Sequence, residues 1–219
     1  MASFQSKTNP AERASAPLAA DTAAYQRLAL QLHRDLPRDQ VPPRMVLLTT
    51  ANLAPQVAVC GLALARCLAQ ELQQPVLCVD ADGRAGEASQ ALGCLAGQGL
   101  SDMMLDEGLQ ASDLALPTSE PLLRFLPAGV AGLAGGRRSP EQLARAVAAL
   151  TTGHDFVVLI GGPVLDDTGA LAMAPLVGSV LMVAFENQTL LADLDQAQRA
   201  LRACGARAIG LVIGSDLRA

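Results

Sequence analysis

The chain has 219 residues, a length that fits one α/β domain of ordinary size. Hydrophobic residues make up 51% of it and aromatic residues only 2%, so Leu, Val, Ile and Ala must form the core, as they do where helices pack on a buried parallel sheet. The net charge of −5 argues against a general nucleic-acid-binding protein, because neutralising phosphates requires clustered Lys and Arg. No run of basic residues is long enough for a patch that binds anionic lipids.

The first 43 residues differ in composition from the rest of the chain. Residues 1–20 are rich in Ala, Ser and Pro, lack the apolar stretch of a signal peptide, and are predicted to form a flexible leader. Residues 21–43 are predicted to form a helix, with Asp21 as its N-cap, followed by a proline-containing linker. The remaining residues, 44–219, are predicted to form the main domain.

Strands and helices are predicted to alternate along this main domain. Strands are predicted over residues 45–50, 75–80, 122–129, 155–160, 179–185 and 206–214. Helices are predicted over residues 56–73, 86–92, 101–107, 140–152 and 190–205. Because the strands are near-continuous apolar runs, we expect a three-layer α/β fold in which helices cover both faces of a mostly parallel sheet. Functional residues in such folds follow the carboxyl ends of the strands.

The longest uncharged run, residues 168–185, is not interpreted as a membrane span. Pro175 and Gly178 lie in its middle, so we expect a helix end, a turn and a short buried strand. The loop GGRR at residues 135–138 precedes Ser139 and Pro140, which are predicted to start a helix. We interpret this loop as solvated, with anion binding at the helix N-terminus as the alternative.

The cysteines and histidines give no sign of a metal or redox site. The five cysteines form no C-x-x-C pair, and most of them fall inside apolar patterns. They are therefore interpreted as small buried hydrophobic residues in a reducing cytosol. His33 and His154 are interpreted as surface or element-end residues, because two histidines at this spacing do not make a zinc site.

Five segments, in the same order along the chain, carry a resemblance to one protein family. They are VLCVDADGR (76–84), GLSDMMLDEG (99–108), LLRFLPAG (122–129), DFVVLIGGPVLDDTGA (155–170) and GLVIG (210–214). Together they resemble the cytoplasmic kinase domain of the bacterial tyrosine autokinases, P-loop proteins of the MinD/ParA-like class that partner the polysaccharide co-polymerases of capsule and exopolysaccharide export. The resemblance spans about residues 21–214. It implies a P-loop NTPase-like fold for the main domain.

The nucleotide-binding residues of that family are replaced in this chain. Aligning GLALA (61–65) with the family motif N-L-A-x-A places Ala54 at a loop glycine, Pro55 at the phosphate-binding lysine and Gln56 at the magnesium-binding Ser/Thr. In the segment 155–170, Ile160 stands at the family's metal-coordinating aspartate and Gly169 at a further acid. Proline offers neither an ammonium group nor a backbone N–H. Losing about three charged hydrogen bonds, each worth roughly 1.5–3 kcal/mol, weakens ATP binding by about three to six decades. We therefore expect weak or absent ATP and magnesium binding, no metal site and no catalytic residue.

Asp80, Asp82 and Arg84 match the family's D-x-D-x-R motif and have two interpretations. In the first, they form a residual nucleotide or metal site. In the second, the turn after this strand needs acids for capping and partner contacts. We favour the second, because two acids without the lysine and without the acid of the next strand cannot assemble a phosphoryl-transfer site.

Two further family features are replaced. Family kinases carry a tyrosine-rich tail, whereas Tyr25 is the single tyrosine here and the sequence ends in DLRA. The family's first helix carries E-x-x-R-x-x-R, which joins subunits into a ring, and Ala23, Gln26 and Ala29 stand at those charged positions. The oligomeric state therefore stays open.

The resemblance and these replacements together predict a pseudokinase. We expect a catalytically inactive scaffold or regulator of a bacterial exopolysaccharide or capsule synthesis and export complex. It would be cytoplasmic, with no nucleic-acid binding and no membrane insertion, and peripheral to the inner membrane through a protein partner. That partner would be the cytoplasmic part of an inner-membrane polysaccharide co-polymerase or an active ATPase relative.

Two alternatives belong to other functional classes. One is an ATP-binding protein or tyrosine kinase with an unorthodox site built from Asp80, Asp82 and backbone amides. The other is a MinD/ParA-like positioning protein that serves a pole, pilus or flagellum.

Overall fold

The computed structural model describes residues 22–36, 44–83, 86–130 and 139–214. The predicted leader, the proposed cap Asp21, the linker at 37–43, Arg84 and the loop at 135–138 lie outside these residues. No helix within the described ranges is long and apolar enough to cross a membrane.

The described residues form one seven-stranded sheet in the order β3-β4-β2-β5-β1-β6-β7. Its strands are β1 (Arg44–Thr50), β2 (Val76–Ala81), β3 (Leu116–Pro117), β4 (Leu123–Leu126), β5 (Phe156–Gly161), β6 (Ser179–Phe185) and β7 (Ala208–Gly214). All neighbouring strands pair in parallel except β3 and β4, which are antiparallel. The central strands β1, β2, β5 and β6 are almost entirely buried, as the apolar runs predict.

Eight helices cover the sheet in the described part of the chain. They are α1 (Thr22–Asp35), α2 (Gln56–Leu72), α3 (Glu87–Ala91), α4 (Leu100–Leu105), α5 (Ala111–Leu114), α6 (Pro140–Ala149), α7 (Thr168–Val177) and α8 (Leu191–Ala203). Helices α1, α2 and α3 pack with one set of strand residues, and α4 to α8 pack with the alternate set on the other face. The predicted three-layer fold with a mostly parallel sheet is therefore confirmed.

The predicted elements are present with small shifts of their ends. Helix α5 and the two-residue strand β3 were not predicted, because such short segments carry no periodicity. Strand β4 ends at Leu126, three residues earlier than predicted, because the carbonyls of Pro127 and Ala128 accept hydrogen bonds from the first amides of α4. Ser139 caps α6 as predicted: its Oγ accepts a hydrogen bond from the N–H of Gln142 at 3.2 Å.

Helix α1 packs on α2, outside the sheet. Ala29 and Leu32 lie in the same apolar cluster as the buried residues of α2. Ala29 is completely buried. An arginine of the family's ring motif could not reach solvent at this position and would bury its charge. Gln26 instead donates a hydrogen bond from Nε2 to Glu71 Oε1 of α2 at 2.8 Å. Two of the three replaced positions, Gln26 and Ala29, therefore contact α2 of the same chain.

Candidate functional site

The loop between β1 and α2 lies where a P-loop would hold phosphates. Thr50 donates a hydrogen bond from Oγ1 to the carbonyl of Asn52 at 2.7 Å. Asn52 in turn donates from Nδ2 to Asp193 Oδ2, at the start of α8, at 2.6 Å. Polar side chains of the loop are therefore engaged with the loop itself and with α8.

Two backbone amides at the start of α2 are also engaged. Pro55 is the N-cap residue and has no N–H to offer. The N–H of Val57 donates to the carbonyl of Ala54 at 3.0 Å, and the N–H of Ala58 donates to the carbonyl of Pro55 at 3.2 Å. A phosphate-binding helix start needs such amides to point at the ligand. Here they bond to the preceding turn.

Ile160, at the position of the family's metal-coordinating aspartate, belongs to the hydrophobic core. It is 1% exposed and pairs in register with Asp80 of β2 and Leu48 of β1. A Cβ atom on Gly61 of α2 would lie only 2.4 Å from Ile160 Cγ1. The isoleucine side chain therefore occupies space that exists because residue 61 is a glycine.

The space left at the phosphate position is very small. The cavity between the loop and the ends of β2 and β5 has a volume of about 10 Å³. Its walls include Thr50, Leu53, Ala54, Val57, Asp80, Asp82, Glu87 and Ile160. This volume is close to the minimum that one water molecule requires. A phosphate group does not fit there without movement of the walls.

Asp80, the first acid of the surviving motif, is held in a buried hydrogen-bond network. Its Oδ2 accepts hydrogen bonds from the N–H and from the Oγ of Ser89, both at 2.7 Å, and its Oδ1 accepts one from the N–H of Asp82 at 3.2 Å. Ser89 Oγ accepts a hydrogen bond from the N–H of Ala128 at 2.9 Å. Asp80 thus joins β2, α3 and the end of β4.

Burial raises the pKa of Asp80 to about 6, although the hydrogen bonds from Ser89 and Asp82 oppose the shift. Burial and the nearby Asp82 and Asp80 carboxylates also raise the pKa of Glu87. The three acids therefore lie close together at the end of β2. Their mutual repulsion opposes the ionisation of all three acids at once.

Asp82, the second acid, lies next to Asp167 of the β5–α7 loop. Both carboxylates lie beside Gly162. A Cβ atom on this glycine would be 3.0 Å from Asp82 Oδ1 and 3.1 Å from Asp167 Oδ2. Asp167 is the N-cap of α7, and its Oδ1 accepts a hydrogen bond from the N–H of Gly169 at 3.2 Å. Gly169, which replaces a family acid, therefore serves the helix start. Among the residues that the structure describes, no three metal-ligating side chains are grouped to hold an ion.

A much larger cleft opens on the other face of the sheet, beside the same acidic turn. Its volume is about 680 Å³, and it lies between α4, α6, α7 and the ends of β2 and β4. The acids Asp80, Asp82 and Asp167 line one end of it. This cleft was not predicted, because helices far apart in the sequence form it and no motif marks it.

The remaining reactive side chains lie in ordinary environments. Burial raises the pKa of Cys78 strongly and that of Cys94 to about 11, so both thiols stay protonated at neutral pH. Tyr25 is half-buried, and burial and the Cys60 thiol raise the pKa of its hydroxyl. Burial lowers the pKa of His154, which precedes β5 and so lies at the sheet end opposite to the acidic turn.

Comparison with known proteins gives matches among solved structures only. No protein-family model matches the chain, and no curated protein sequence matches it. The kinase domain of the Escherichia coli tyrosine kinase ETK superposes with a TM-score of 0.74 at 17% identity, covering 100% of this chain and 86% of that chain. The VpsO kinase domain superposes with a TM-score of 0.73 at 22% identity, covering 98% of this chain and 99% of that chain.

A wider set of ATPases shares the architecture. A ParA family ATPase from Chlorobium tepidum superposes with a TM-score of 0.57 at 19% identity, covering 78% of this chain and 73% of that chain. At these identities the likeness is one of fold, and it matches the fold that the five sequence segments imply. The chain therefore has the fold of the bacterial tyrosine kinase domains and, over a smaller part of its length, that of the ParA family ATPases.

Proposed function

We propose that this protein is a catalytically inactive, tyrosine-kinase-like scaffold or regulator of a bacterial exopolysaccharide or capsule synthesis and export complex. Its partner is the cytoplasmic part of an inner-membrane polysaccharide co-polymerase or an active ATPase relative. The protein acts in the cytoplasm, next to the inner membrane, through that partner. The sequence segments shared with the tyrosine autokinases support the choice of biological system.

The observation that carries the proposal is the filled phosphate position. Hydrocarbon from Ile160, Leu53, Ala54 and Val57 surrounds a cavity of about 10 Å³ where phosphates and a magnesium ion would need to bind. ATP bound there would have to displace core side chains as well as forgo a lysine and a metal-binding acid. Both effects oppose binding, so we expect no nucleotide-dependent activity.

The retained acids support the same proposal. Asp80 connects β2, α3 and the end of β4 through Ser89 and the N–H of Ala128. This network gives Asp80 a role in stability that does not require a nucleotide. The alternative, an ATP site built from Asp80, Asp82 and backbone amides, has fewer amides to use at the start of α2, because Pro55 has none and Val57 and Ala58 donate theirs to the preceding turn.

A thermal melt with and without millimolar Mg-ATP or Mg-ADP tests the proposal. A ligand present at about 1,000 times its Kd stabilises a protein by about 4 kcal/mol, which shifts the Tm by several degrees. We expect no shift for this protein and a clear shift for the ETK kinase domain measured in parallel. A shift of several degrees that depends on magnesium would contradict the loss of nucleotide binding.

A genetic test addresses the scaffold. Deleting the gene in its host should lower the amount of exported polysaccharide, and wild-type protein supplied from a plasmid should restore it. The Pro55→Ala variant serves as a control, because a protein that does not bind ATP should not depend on this loop residue for rescue. Unchanged polysaccharide export in the deletion strain would refute the role in this system.

A further inference from the structure

The two edges of the sheet differ in how they are protected against pairing with a further strand. Strand β3 forms one edge and has only two residues, Leu116 and Pro117. A very short edge strand and a proline both oppose the addition of another strand. Strand β7 forms the other edge of the described sheet, and its seven residues, Ala208–Gly214, include no charged residue and no proline. The β7 edge therefore carries neither form of protection.

Half of the backbone groups of β7 point away from the sheet. The carbonyl of Gly214 accepts a hydrogen bond from the N–H of Glu186 at 3.1 Å, so the backbone of Gly214 faces β6. Successive residues of a strand direct their N–H and C=O groups to opposite sides. Ile209, Leu211 and Ile213 therefore direct theirs to the outer side of β7, where no strand of the described chain pairs with them.

The side chains of the same three residues form a partly exposed apolar row. Strand alternation places Ile209, Leu211 and Ile213 on one face of the sheet. Ile209 packs with the apolar cluster that includes residues of α8, whereas Val212 packs with the cluster on the opposite face. Leu211 is 55% exposed and Ile213 is 66% exposed. Unpaired backbone groups and exposed apolar side chains on one edge both favour the addition of a strand.

The sequence of β7 is complementary to itself. A second copy of β7 can lie antiparallel to the first with the two Leu211 residues opposite each other. Ile209 then lies opposite Ile213 of the second copy, and Gly210 lies opposite its Val212. The outward-facing residues fall into hydrogen-bonded pairs, which exchange both of their backbone hydrogen bonds. On the other face, glycine lies opposite valine, so no two large side chains compete for space there.

The charges of α8 favour the same antiparallel arrangement. This helix leads from the carboxyl end of β6 to the amino end of β7. Asp193 and Asp195 lie near its start, and Arg199 and Arg202 lie toward its end. Arg199 pairs with Asp195 in the same helix, and Arg202 is exposed. A two-fold axis through β7 sets the acidic part of one α8 on the side of the basic part of the other, which favours a second copy of this chain over an unrelated strand.

We propose that two copies of this chain form a two-fold symmetric dimer in which their β7 strands pair antiparallel, with Leu211 at the centre, and join the two sheets into one. Such an interface closes on itself, and the protected β3 edge opposes further growth of the sheet. The dimer uses neither the phosphate position nor the three replaced positions of α1. It therefore does not rest on the proposed scaffold function.

Analytical ultracentrifugation of the full chain over a range of about 1–100 µM tests the proposal. We expect a monomer–dimer equilibrium with no larger species. Leu211→Lys places two like charges opposite each other and should raise the dissociation constant at least about tenfold. Leu105→Lys is the matched control, because Leu105 is 63% exposed and lies on α4, away from β7. It should leave the dissociation constant unchanged.

A charge-swap pair tests the register. Leu211→Glu alone should dissociate the dimer as Leu211→Lys does. An equimolar mixture of the two variants should form a one-to-one dimer, because opposite charges then lie directly across from each other at the centre. Circular dichroism melts of each variant check the fold, which substitution of a half-exposed edge residue should preserve.

Three outcomes would overturn the proposal. A monomer at every concentration would mean that the β7 edge does not pair with a second copy, and would leave it to a strand of another protein. Equal effects of Leu211→Lys and Leu105→Lys would place the contact elsewhere. Folded Leu211→Lys and Leu211→Glu variants that stay monomeric when mixed would exclude the register centred on Leu211. None of these measurements involves a nucleotide or polysaccharide export, so they are separate from the tests of the proposed function.

Discussion

The phosphate position and the large cleft lie on opposite sides of one acidic turn, and they differ almost seventyfold in volume. The first has about 10 Å³ of space, and the second about 680 Å³. Both are lined by Asp80 and Asp82. The difference shows that side chains leave little space beside the β1–α2 loop, whereas the other side of the same turn stays open. The packing around the turn is therefore dense on one side and open on the other.

The largest expected effect comes from restoring the family's acid in the filled position. Ile160→Asp places an ionisable group among core side chains and beside Asp80, so we expect a loss of about 3–5 kcal/mol of unfolding free energy. Ile160→Val, which keeps the side chain apolar, should cost only about 0.5–1.5 kcal/mol. Urea denaturation measures both. An Ile160→Asp variant of normal stability that gains a Mg-ATP-dependent Tm shift would mean that the position is still a usable site.

Asp80, shared by the two regions, should make stability depend on pH. Its pKa is about 6 in the folded protein and 3.8 in the reference state, so folding favours the protonated form. Stability should be greatest below about pH 4, fall as the pH rises to about 6, and level off above that, by up to about 3 kcal/mol. Asp80→Asn should remove this part of the dependence in urea titrations from pH 4 to 8. Glu87, whose pKa is also raised, is present in both the wild-type protein and the Asp80→Asn variant. The difference between their stability curves therefore reports the titration of Asp80. Parallel curves for the two proteins would exclude a raised pKa at Asp80.

The contact between Gly61 and Ile160 should appear as energetic coupling. Gly61→Ala improves helix propensity by about 1 kcal/mol, yet the added Cβ would lie 2.4 Å from Ile160 Cγ1, so we expect a net loss of about 1–3 kcal/mol. In an Ile160→Ala background the same change should be neutral or stabilising. A double-mutant cycle from denaturation data measures the coupling. Additive effects would mean that the two residues do not compete for space.

The smallest expected effect concerns Ser101, a residue beside the large cleft. Ser101→Ala removes a buried hydroxyl that has no partner among the described residues, so the free energy of unfolding should be unchanged or slightly raised. Ser89→Ala is the matched comparison, because Ser89 is also a buried serine and its hydroxyl is hydrogen-bonded to Asp80. It removes one of the three hydrogen bonds to the Asp80 carboxylate and the acceptor of the Ala128 N–H, so it should cost about 1–3 kcal/mol. Similar losses for both serines would show that Ser101 is bonded in the folded protein.

The sequence predicts the sheet and the replaced loop better than it predicts the space around them. Apolar runs identify β1, β2, β5 and β6, because buried parallel strands need such residues over their full length. Motif alignment identifies Pro55 and Ile160 as replacements. It gives no sign that Ile160 fills the cavity, since that depends on Gly61, a helix residue 99 positions away in the numbering. The one sequence feature that could have indicated this close packing is Gly61, a glycine inside an otherwise apolar helix pattern.

The acidic turn shows the same limit. The motif D-x-D identifies Asp80 and Asp82. The hydrogen bond from Ser89 to Asp80, the link from Ser89 to Ala128 and the position of Gly162 beside Asp82 follow from the packing of separate elements. The cleft depends on the distance between α4, α6 and α7, which no local pattern encodes. Arg84, the third residue of the motif, lies outside the described residues, so its role stays a prediction.

Gly61 also limits which residues position 160 can hold. The family alignment places an asparagine at position 61, and this asparagine cannot coexist with isoleucine at 160, because even its Cβ would overlap Ile160 Cγ1. Isoleucine at 160 therefore requires a residue without a Cβ atom at 61. Changing Ile160 alone to the family's aspartate would bury a carboxylate. Changing Gly61 alone to asparagine would place its Cβ against Ile160 Cγ1. Each of these single changes should therefore lower stability, so positions 61 and 160 are coupled although they lie on different elements.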